Sequence, residues 1–312
     1  MTNNSIKVFA PATVANVACG FDIFGFAVDN PGDELILKKA NHKGVKILSI
    51  EGDDGRLPLD AERNTAGIAI IKFLEAIGEE GQGFEMNLKK LMPLGSGLGS
   101  SAASSVAGVF AANELMGRPL AQKDLLPFAM EGERIACGSA HADNVGPSLM
   151  GGFVVIRSYE PLDIIQLKTP QELYATIVHP HIEVNTKDAR NILKREISLK
   201  NTITQMGNVA GLVAGLMLPD YDLISRSLVD VIIEPIRSIL IPQFDDVKNA
   251  ALENGALGCS ISGSGPSMFA LSKDLFTANR VGKAMQDGFA KVGIGSECYV
   301  SGINQAGPVV LG

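Results

Sequence analysis

The sequence contains no tryptophan, only four tyrosines and only four cysteines in 312 residues. The cysteines, Cys19, Cys137, Cys259 and Cys298, lie far apart. They therefore form neither the paired CxxC spacing of a zinc site nor the dense pattern of a small disulfide-rich domain. We expect reduced thiols and a cytoplasmic protein.

Long hydrophobic runs and positive charge are also scarce. No stretch approaches the roughly 18 to 20 apolar residues of a membrane span, and the N-terminus lacks the cationic and then apolar segments of an export signal. The 27 basic and 34 acidic residues give a net charge of −7, without a basic cluster that contains aromatics. We expect neither a membrane nor a nucleic acid as partner.

Several catalytic motifs are missing as well. The sequence has no Walker A motif, no HRD or DFG signature of protein kinases and no GxSxG motif of hydrolases. Glycine, by contrast, is abundant, with 34 residues, and it clusters at residues 95–99 and 258–265. Because glycine inside regular elements costs conformational entropy, such clusters indicate backbone that turns tightly or approaches a ligand.

Hydrophobic periodicity predicts a mixture of strands and helices. Residues 6–9 are predicted as a short strand that ends at Pro11, and residues 34–38 and 45–50 as the two strands of a hairpin. Strands and helices alternate in both halves, which favours an α/β or α+β protein. The first predicted helix begins at Asn64, as cap, and stops at Gly78. Five more helices are predicted over residues 100–115, 125–135, 193–217, 223–233 and 244–254.

The string PLGSGLGSSA at residues 93–102 places glycines at alternate positions directly before an apolar helix. Such a loop offers backbone N–H groups and the positive end of the helix dipole to an anion, and side chains at the glycine positions would block its approach. The hydroxyls of Ser100 and Ser101 can hold phosphate oxygens or Mg²⁺. A flexible linker is the plain alternative, but linkers have neither the preceding proline nor the following apolar helix.

Residues 97–102 also match GxGxxA, the dinucleotide-binding fingerprint, which should follow the first strand of a βαβ unit. Here the segment Lys-Lys-Leu-Met-Pro at residues 89–93 precedes it, and no acidic residue ends a second strand about 20 positions later. A dehydrogenase is therefore a distant alternative to another class of phosphate-binding protein.

The whole string resembles the phosphate loop of the GHMP kinases, a family that includes galactokinases and mevalonate kinases. Two further blocks are similar to this family: PATVAN at residues 11–16 with GFD at 20–22, and SGSGPS at 262–267. The resemblance therefore extends over the length of the chain. The sequence lacks GRVNxxGEH, the sugar-binding signature of galactokinases, so that activity is not expected.

The resemblance implies an α+β protein with the two-domain GHMP kinase fold. Residues 1–168 would form an N-terminal, ATP-binding domain that is similar to a domain of ribosomal protein S5. Residues 169–312 would form a ferredoxin-like C-terminal domain, with the substrate held between the two. The resemblance also implies ATP and Mg²⁺ as cofactors and a homodimer.

Other stretches are similar to the branch of the family that phosphorylates L-homoserine. They are HADNVGP at residues 141–147, the pair Thr186 and Arg190, EPIR at 234–237 and LIP at 240–242. Gly146 stands where alanine is commoner and Gln243 where glycine is common, and neither departure removes a functional group. The resemblance implies the conversion of L-homoserine and ATP into O-phospho-L-homoserine, in threonine biosynthesis.

The resemblance also implies how ATP and the metal ion are held. Asn64 would reach the adenine, and Glu133 would ligate Mg²⁺ together with Ser100 or Ser101, with Glu131 as the rival ligand. The phosphates would be bound by the loop, which consists of Pro93, Leu94, Gly95, Ser96, Gly97, Leu98, Gly99, Ser100, Ser101 and Ala102.

Mevalonate-type family members have an aspartate base 11 residues after this glutamate, where the present sequence has Asn144. An amide cannot accept a proton at neutral pH. The resemblance therefore implies catalysis by Asn144, Glu133 and Ser101 through positioning and electrostatics. The homoserine hydroxyl would lose its proton to the γ-phosphate or to water while Asn144 orients it.

Homoserine is a zwitterion, so its pocket should offer carboxylates to the ammonium and guanidinium groups to the carboxylate. A kinase for mevalonate or shikimate would not need the carboxylate pair, and a metabolite sensor on the same fold would bind its ligand without turnover. By family position, Asp22 and Asp143 would bind the ammonium, Arg190 and Arg237 would bind the carboxylate, and Asn16, His141 and Thr186 would complete the hydrogen bonds.

Overall fold

The computed structural model describes residues 4–138, 141–194 and 196–311, and within them it places eleven strands in two sheets and ten α-helices. The strands are β1 (Ser5–Ala15), β2 (Phe24–Ala40), β3 (Gly44–Glu51), β4 (Gly83–Lys89), β5 (Phe153–Tyr159), β6 (Leu162–Leu167), β7 (Tyr174–Pro180), β8 (Gly258–Ile261), β9 (Met268–Ser272), β10 (Ser296–Gly302) and β11 (Val309–Leu311). The helices are α1 (Thr65–Ile77), α2 (Ser100–Leu115), α3 (Leu126–Cys137), α4 (Ala142–Met150), α5 (Thr186–Asn191), α6 (Leu199–Met217), α7 (Tyr221–Ser227), α8 (Glu234–Arg237), α9 (Phe244–Glu253) and α10 (Leu275–Ala290).

The first sheet has seven strands in the order β11-β1-β2-β4-β3, and β5 and β6 extend it from the beginning of β2. The 17-residue strand β2 organises this sheet, because its first part pairs with β5 and its second part with β4 while β1 pairs with both parts. Helices α1 to α4 pack together on this unit, and almost every residue of α2 is buried.

The second sheet has four antiparallel strands in the order β10-β7-β9-β8. Helices precede β8, and α10 connects β9 to β10, which gives the connectivity of a ferredoxin-like unit. Val247 of α9 and Phe289 of α10 are fully buried in the core below this sheet. The α+β class predicted from the sequence is confirmed.

Between the sheets, the chain passes from β6, which ends at Leu167, to β7, which begins at Tyr174. The last strand, β11, returns to the first sheet and pairs with β1. The division after residue 168 stays a prediction. Among the described helices, none is long and apolar enough to cross a bilayer.

The strand predicted to end at Pro11 continues to Ala15, so that prediction is wrong. The pairing register of β1 with β2 shifts between Pro11 and Thr13. Proline lacks an N–H group and is tolerated in a sheet where the ladder is interrupted in this way. The continuation matters because it carries Thr13 to the beginning of α2.

The predicted hairpin of residues 34–38 and 45–50 is also wrong, since β4 lies between β2 and β3 and pairs with both. The burial of the strands explains this order. Phe84, Met86 and Leu88 of β4 are buried, as an interior strand requires, whereas Ile47 is the one buried residue of β3. The less buried strand therefore occupies the edge of the sheet.

The helix predicted over residues 223–233 ends early, at Ser227, and the helix predicted from about residue 193 begins at Leu199. Asp230 explains the first difference. Its carboxylate accepts hydrogen bonds from the N–H groups of Ile232, Ile233 and Glu234 at 2.8, 3.0 and 2.9 Å. These bonds stabilise a turn in place of a continued helix.

A buried ion pair lies where β2, β4 and α2 meet. Lys90, directly after β4, contacts Asp33 of β2, and both side chains are almost fully buried. The Lys90 ammonium also donates to the Ser100 carbonyl at 2.8 Å and to the Ser104 hydroxyl at 2.6 Å. Burial lowers the pKa of Lys90, and the charge of Asp33 opposes this shift. The pair fixes the first turn of α2 to the sheet.

Replacement of Lys90 by methionine should strongly destabilise the protein, because the buried carboxylate of Asp33 would lose its partner. Breaking a buried ion pair in this way costs about 3–5 kcal/mol, which urea unfolding would measure. Lys72→Met is the matched control, since Lys72 forms an exposed ion pair with Glu75 at 2.7 Å, and its urea midpoint should stay unchanged. Equal shifts in the two variants would contradict the proposed role of Lys90.

Candidate active site

A cleft of about 470 Å³ separates the elements of the first sheet from α5, α8 and the glycine cluster before β9. It is lined by every site residue predicted from the sequence except Pro93, Leu98 and Ala102. The lining residues from the prediction are Asn16, Asp22, Asn64, Leu94, Gly95, Ser96, Gly97, Gly99, Ser100, Ser101, Glu133, His141, Asp143, Asn144, Thr186, Arg190 and Arg237.

The glycine loop at residues 93–99 forms one wall of the cleft and leads into α2 at Ser100. Gly97 and Gly99 adopt left-handed conformations, with φ of +77° and +66°. A Cβ atom on Gly97 would lie 2.4 Å from the Ser262 carbonyl oxygen, and one on Gly99 would lie 2.1 Å from the Thr13 hydroxyl. Both positions therefore require glycine for space as well as for backbone conformation.

The second glycine cluster, residues 262–267, holds this loop from the side of the second sheet. The Ser262 hydroxyl donates to the Gly97 carbonyl at 2.7 Å, and the Ser267 N–H donates to the Ser96 carbonyl at 3.3 Å. On the opposite side, the Thr13 N–H donates to the Leu98 carbonyl at 3.0 Å. With these carbonyls bound, the first-turn N–H groups of α2 form the polar end of the cleft.

Three polar atoms in the cleft are buried without a hydrogen-bond partner among the described residues. They are the hydroxyls of Ser96 and Ser100 and one carboxylate oxygen, Oδ1, of Asp143. Unsatisfied buried polar atoms are rare in native proteins and are costly, so their concentration in one cleft is typical of a ligand-binding site. Two lie on the glycine loop and its helix, and one lies on α4.

Glu133 faces the glycine loop from α3. The Ser101 hydroxyl donates to the two Glu133 oxygens at 2.8 and 3.1 Å, and Glu133 is 5 % exposed. Glu131 instead pairs with Arg134 at 3.2 Å at the surface. A carboxylate with neighbouring hydroxyl oxygens provides ligands that suit a hard divalent cation, so Glu133 fits a metal ion better than Glu131.

Asn144 lies at the junction of α4, β1 and the glycine loop. Its Oδ1 accepts a hydrogen bond of 2.8 Å from the Thr13 hydroxyl, so its amide NH₂ group is the part left to donate. A Cβ atom on Gly99 would approach the same Oδ1 to 2.8 Å. The contact with Thr13 thus fixes the orientation of the amide next to the loop.

Opposite charges meet at the other end of the cleft. A nitrogen of Arg190 lies 2.8 Å from both oxygens of Asp22. The Arg237 side chain is buried and donates to the carbonyls of Ala189 and Gly263 at 3.0 and 3.1 Å. The Phe21 ring contacts both guanidinium groups, with centroid distances of 5.4 Å to Arg190 and 4.9 Å to Arg237.

Asp143 completes this charged region. Burial raises the pKa of Asp143 to about 7, and the negative charges of Asp22 and Glu133 act in the same direction. Burial likewise lowers the pKa of His141, an effect that Asp22 opposes and Arg190 reinforces. Asp143 thus gains its negative charge near neutral pH, when the neighbouring imidazole is uncharged.

Three predicted residues have other partners in the structure. Asn64 caps α1, since its Oδ1 accepts from the N–H groups of Ala66 and Gly67 at 3.0 and 3.3 Å. Asn16 donates from Nδ2 to the Gly263 carbonyl at 2.7 Å. The hydroxyls of Thr186 and Ser264 lie 3.2 Å apart. The cap confirms the sequence prediction for α1, whereas the roles of these residues toward ligands stay predictions.

Residues 64–152 match the family model "GHMP kinases N terminal domain", and residues 212–291 match "GHMP kinases C terminal". Together with the relatives below, these matches show that the chain belongs to the GHMP kinase family. Members of this family use ATP as phosphate donor together with a metal ion.

The chain is 54% identical to a homoserine kinase of Chlorobium phaeobacteroides (strain BS1), over 98% of this chain and 99% of the relative. It is 38% identical to a homoserine kinase of Xylella fastidiosa (strain M12), over 99% and 95%. The crystal structure of a homoserine kinase from Cytophaga hutchinsonii superposes with a TM-score of 0.98 at 64% identity, covering 100% of this chain and 98% of that chain.

Replacement of Gly97 by alanine should impair the use of ATP, because the new Cβ atom would collide with the Ser262 carbonyl oxygen and displace the loop. A displacement of about 1 Å can lower activity about 100-fold, which kcat/KM for ATP would report. Gly44→Ala is the matched control, since Gly44 has the same φ of +77° and open space around its Cβ position. Equal losses in the two variants would mean that backbone strain alone causes the effect.

Proposed function

We propose that the protein transfers the γ-phosphoryl group of ATP to the hydroxyl of L-homoserine, which yields O-phospho-L-homoserine and ADP on the route to threonine. The observation that carries this proposal is the charged end of the cleft. There, Asp143 has an unpaired buried oxygen and lies near Asp22, Arg190 and Arg237. The similarity to homoserine kinases over almost the full chain supports the same substrate.

The pocket matches the two charges of a free amino acid. The carboxylates of Asp22 and Asp143 would bind the ammonium of homoserine, and the guanidinium groups of Arg190 and Arg237 would bind its carboxylate. The Phe21 ring, in contact with both guanidinium groups, holds two like charges in one small region. Asn16, His141 and Thr186 line the same region and would complete the hydrogen bonds.

The opposite end of the cleft would hold the nucleotide. The loop from Pro93 to Ala102 would bind the phosphates, with the unpartnered hydroxyls of Ser96 and Ser100 as donors, and Asn64 would lie near the adenine. Glu133 and Ser101, with Ser100 beside them, would hold Mg²⁺. When bound, Mg²⁺ would neutralise negative charge on the phosphate oxygens.

The phosphoryl transfer itself would depend on the position of the substrate hydroxyl. Asn144 would donate from its amide to the substrate hydroxyl and place it in line with the γ-phosphorus, since its own oxygen already accepts from Thr13. An amide does not take the proton, so the proton would pass to the transferred phosphoryl group or to water. The carboxylates of Asp22, Asp143 and Glu133 would serve the ammonium and the metal ion instead.

The domain division, the oligomeric state and the cellular location are proposals as well. Residues 1–168 would supply the nucleotide site and residues 169–312 would supply Thr186, Arg190 and Arg237. The homodimer implied by the family resemblance and the cytoplasmic location expected from the cysteine pattern stay proposals too.

The substrate can be tested by ADP release with ATP and Mg²⁺ against L-homoserine, mevalonate, shikimate, galactose and no acceptor. Only L-homoserine should give turnover. The matched control is 4-hydroxybutyrate, which keeps the alcohol and the carboxylate but lacks the ammonium that Asp22 and Asp143 would bind. We expect little or no turnover with it.

Turnover of mevalonate or shikimate would leave the family and the phosphate loop in place but would contradict the assignment of the charged pocket. Equal use of 4-hydroxybutyrate and homoserine would contradict the role of the two aspartates. No turnover with any acceptor, combined with ligand binding, would favour a metabolite sensor.

The pH dependence of the reaction tests the role of Asp143. Because its pKa is raised to about 7, Asp143 is increasingly neutral below pH 7 and then lacks the charge that attracts an ammonium. We expect kcat/KM for homoserine to fall as the pH decreases below about 7, by up to tenfold for each pH unit. At saturating homoserine, kcat should change less, since a bound ammonium favours the carboxylate. A flat kcat/KM between pH 5.5 and 8 would contradict this role.

A further inference from the structure

Tyr159 connects the two parts of the chain that carry the aspartates of the charged pocket. It is the last residue of β5, and its hydroxyl donates to the Asp22 carbonyl at 2.9 Å. The same hydroxyl accepts a hydrogen bond of 3.3 Å from the N–H group of Ala142, the residue before Asp143. Tyr159 is not among the residues that line the cleft. It therefore acts on the pocket through these neighbours and through His141, a cleft residue whose ring meets the Tyr159 ring edge-on at a centroid distance of 6.5 Å.

The Asp22 side of this connection needs support because its backbone is strained. Asp22 has φ of +60°, in the left-handed region that residues other than glycine rarely adopt. Its N–H donates to Asn16 Oδ1 at 3.0 Å, and its carbonyl accepts from Tyr159. The peptide groups on both sides of Asp22 are thus fixed, and the carboxylate is directed toward the cleft, where it meets Arg190.

The α4 side needs support for a different reason. The first N–H groups of a helix have no partner within the helix and are usually bound by the side chain of the capping residue. His141, which occupies the capping position of α4, makes no side-chain capping bond. Tyr159 supplies an acceptor for another of these groups, the N–H of Ala142, the first residue of the helix. The hydroxyl thereby holds the first turn of α4, which includes Asp143 and Asn144.

We propose that Tyr159 is a positioning residue, and that its hydroxyl sets the separation of Asp22 and Asp143 so that one ammonium group fits between them. This inference rests on the proposed function. Without the connection, the two carboxylates would be free to move apart, since like charges repel. Burial raises the pKa of Tyr159, with Asp143 and Asp22 acting in the same direction, so the phenol stays protonated and keeps donating.

The test compares the Tyr159→Phe variant with wild type and with Tyr221→Phe. Tyr221 is a matched control, because its hydroxyl also donates to a backbone carbonyl, that of Glu172 at 2.8 Å, and lies outside the cleft. In Tyr159→Phe, the KM for homoserine should rise about tenfold, as expected for the loss of one or two hydrogen bonds. Both kcat and the KM for ATP should stay within about twofold of wild type.

Circular dichroism and thermal unfolding of the three proteins complete the experiment. A tenfold rise in KM for homoserine, with an unfolding midpoint close to that of Tyr221→Phe, would support positioning. If Tyr159→Phe raised the KM for ATP and lowered kcat to the same extent, or if it failed to fold, the hydroxyl would be a general stability element and the inference would be wrong.

The remaining outcomes separate the inference from the proposed function. If wild type turned over homoserine and the KM of Tyr159→Phe equalled that of Tyr221→Phe, the inference alone would be overturned. If wild type phosphorylated a different alcohol and not homoserine, the proposed function would be overturned. The role of Tyr159 in spacing Asp22 and Asp143 for an ammonium would then be overturned as well.

Discussion

The buried ion pair between Lys90 and Asp33 is the interaction on which the shape of the cleft depends. It attaches the end of β4 to β2, and through the Ser100 carbonyl it also fixes the beginning of α2. Ser262 supports the glycine loop from the opposite side. Because three glycines leave the loop with few side chains of its own, these two supports determine where its backbone lies. The first sheet and the second sheet therefore each support one side of the glycine loop and its helix.

Much of the site could be predicted because its signals are local in the sequence. The alternate glycines, the hydroxyls and the apolar helix of residues 93–115 are consecutive, and the cap at Asn64 depends on the next three residues. The α+β class follows from the alternation of patterns along the chain. The charged pocket is predictable only through resemblance to a family. Taken alone, Asp22, His141 and Arg237 each have an ordinary explanation, as a turn residue, a loop histidine and a charge on a helix surface.

The features of the fold and the site that the sequence does not predict depend on contacts between distant parts of the chain. Tyr159 reaches Asp22 across 137 positions, and Thr13 reaches Asn144 across 131, so no local pattern indicates either bond. The same limit explains the two wrong strand predictions. The neighbours of a strand depend on burial in the whole sheet, and here β4 lies between β2 and β3. A shift in the pairing register, which also depends on the partner strand, allows Pro11 inside β1.

The ion pair between Asp22 and Arg190 gives the pocket a means of discrimination. A ligand that binds Asp22 leaves Arg190 without its counter-charge. A ligand that binds Arg190 likewise leaves Asp22 without its counter-charge. A simple amine or a simple carboxylic acid would compensate only one of the two, whereas a zwitterion compensates both. Since a zwitterion carries no net charge, the exchange of partners leaves the total charge of the cleft unchanged. The pair thus offers both of its charges to a zwitterion, whereas a singly charged molecule of similar size would leave one of them without a partner.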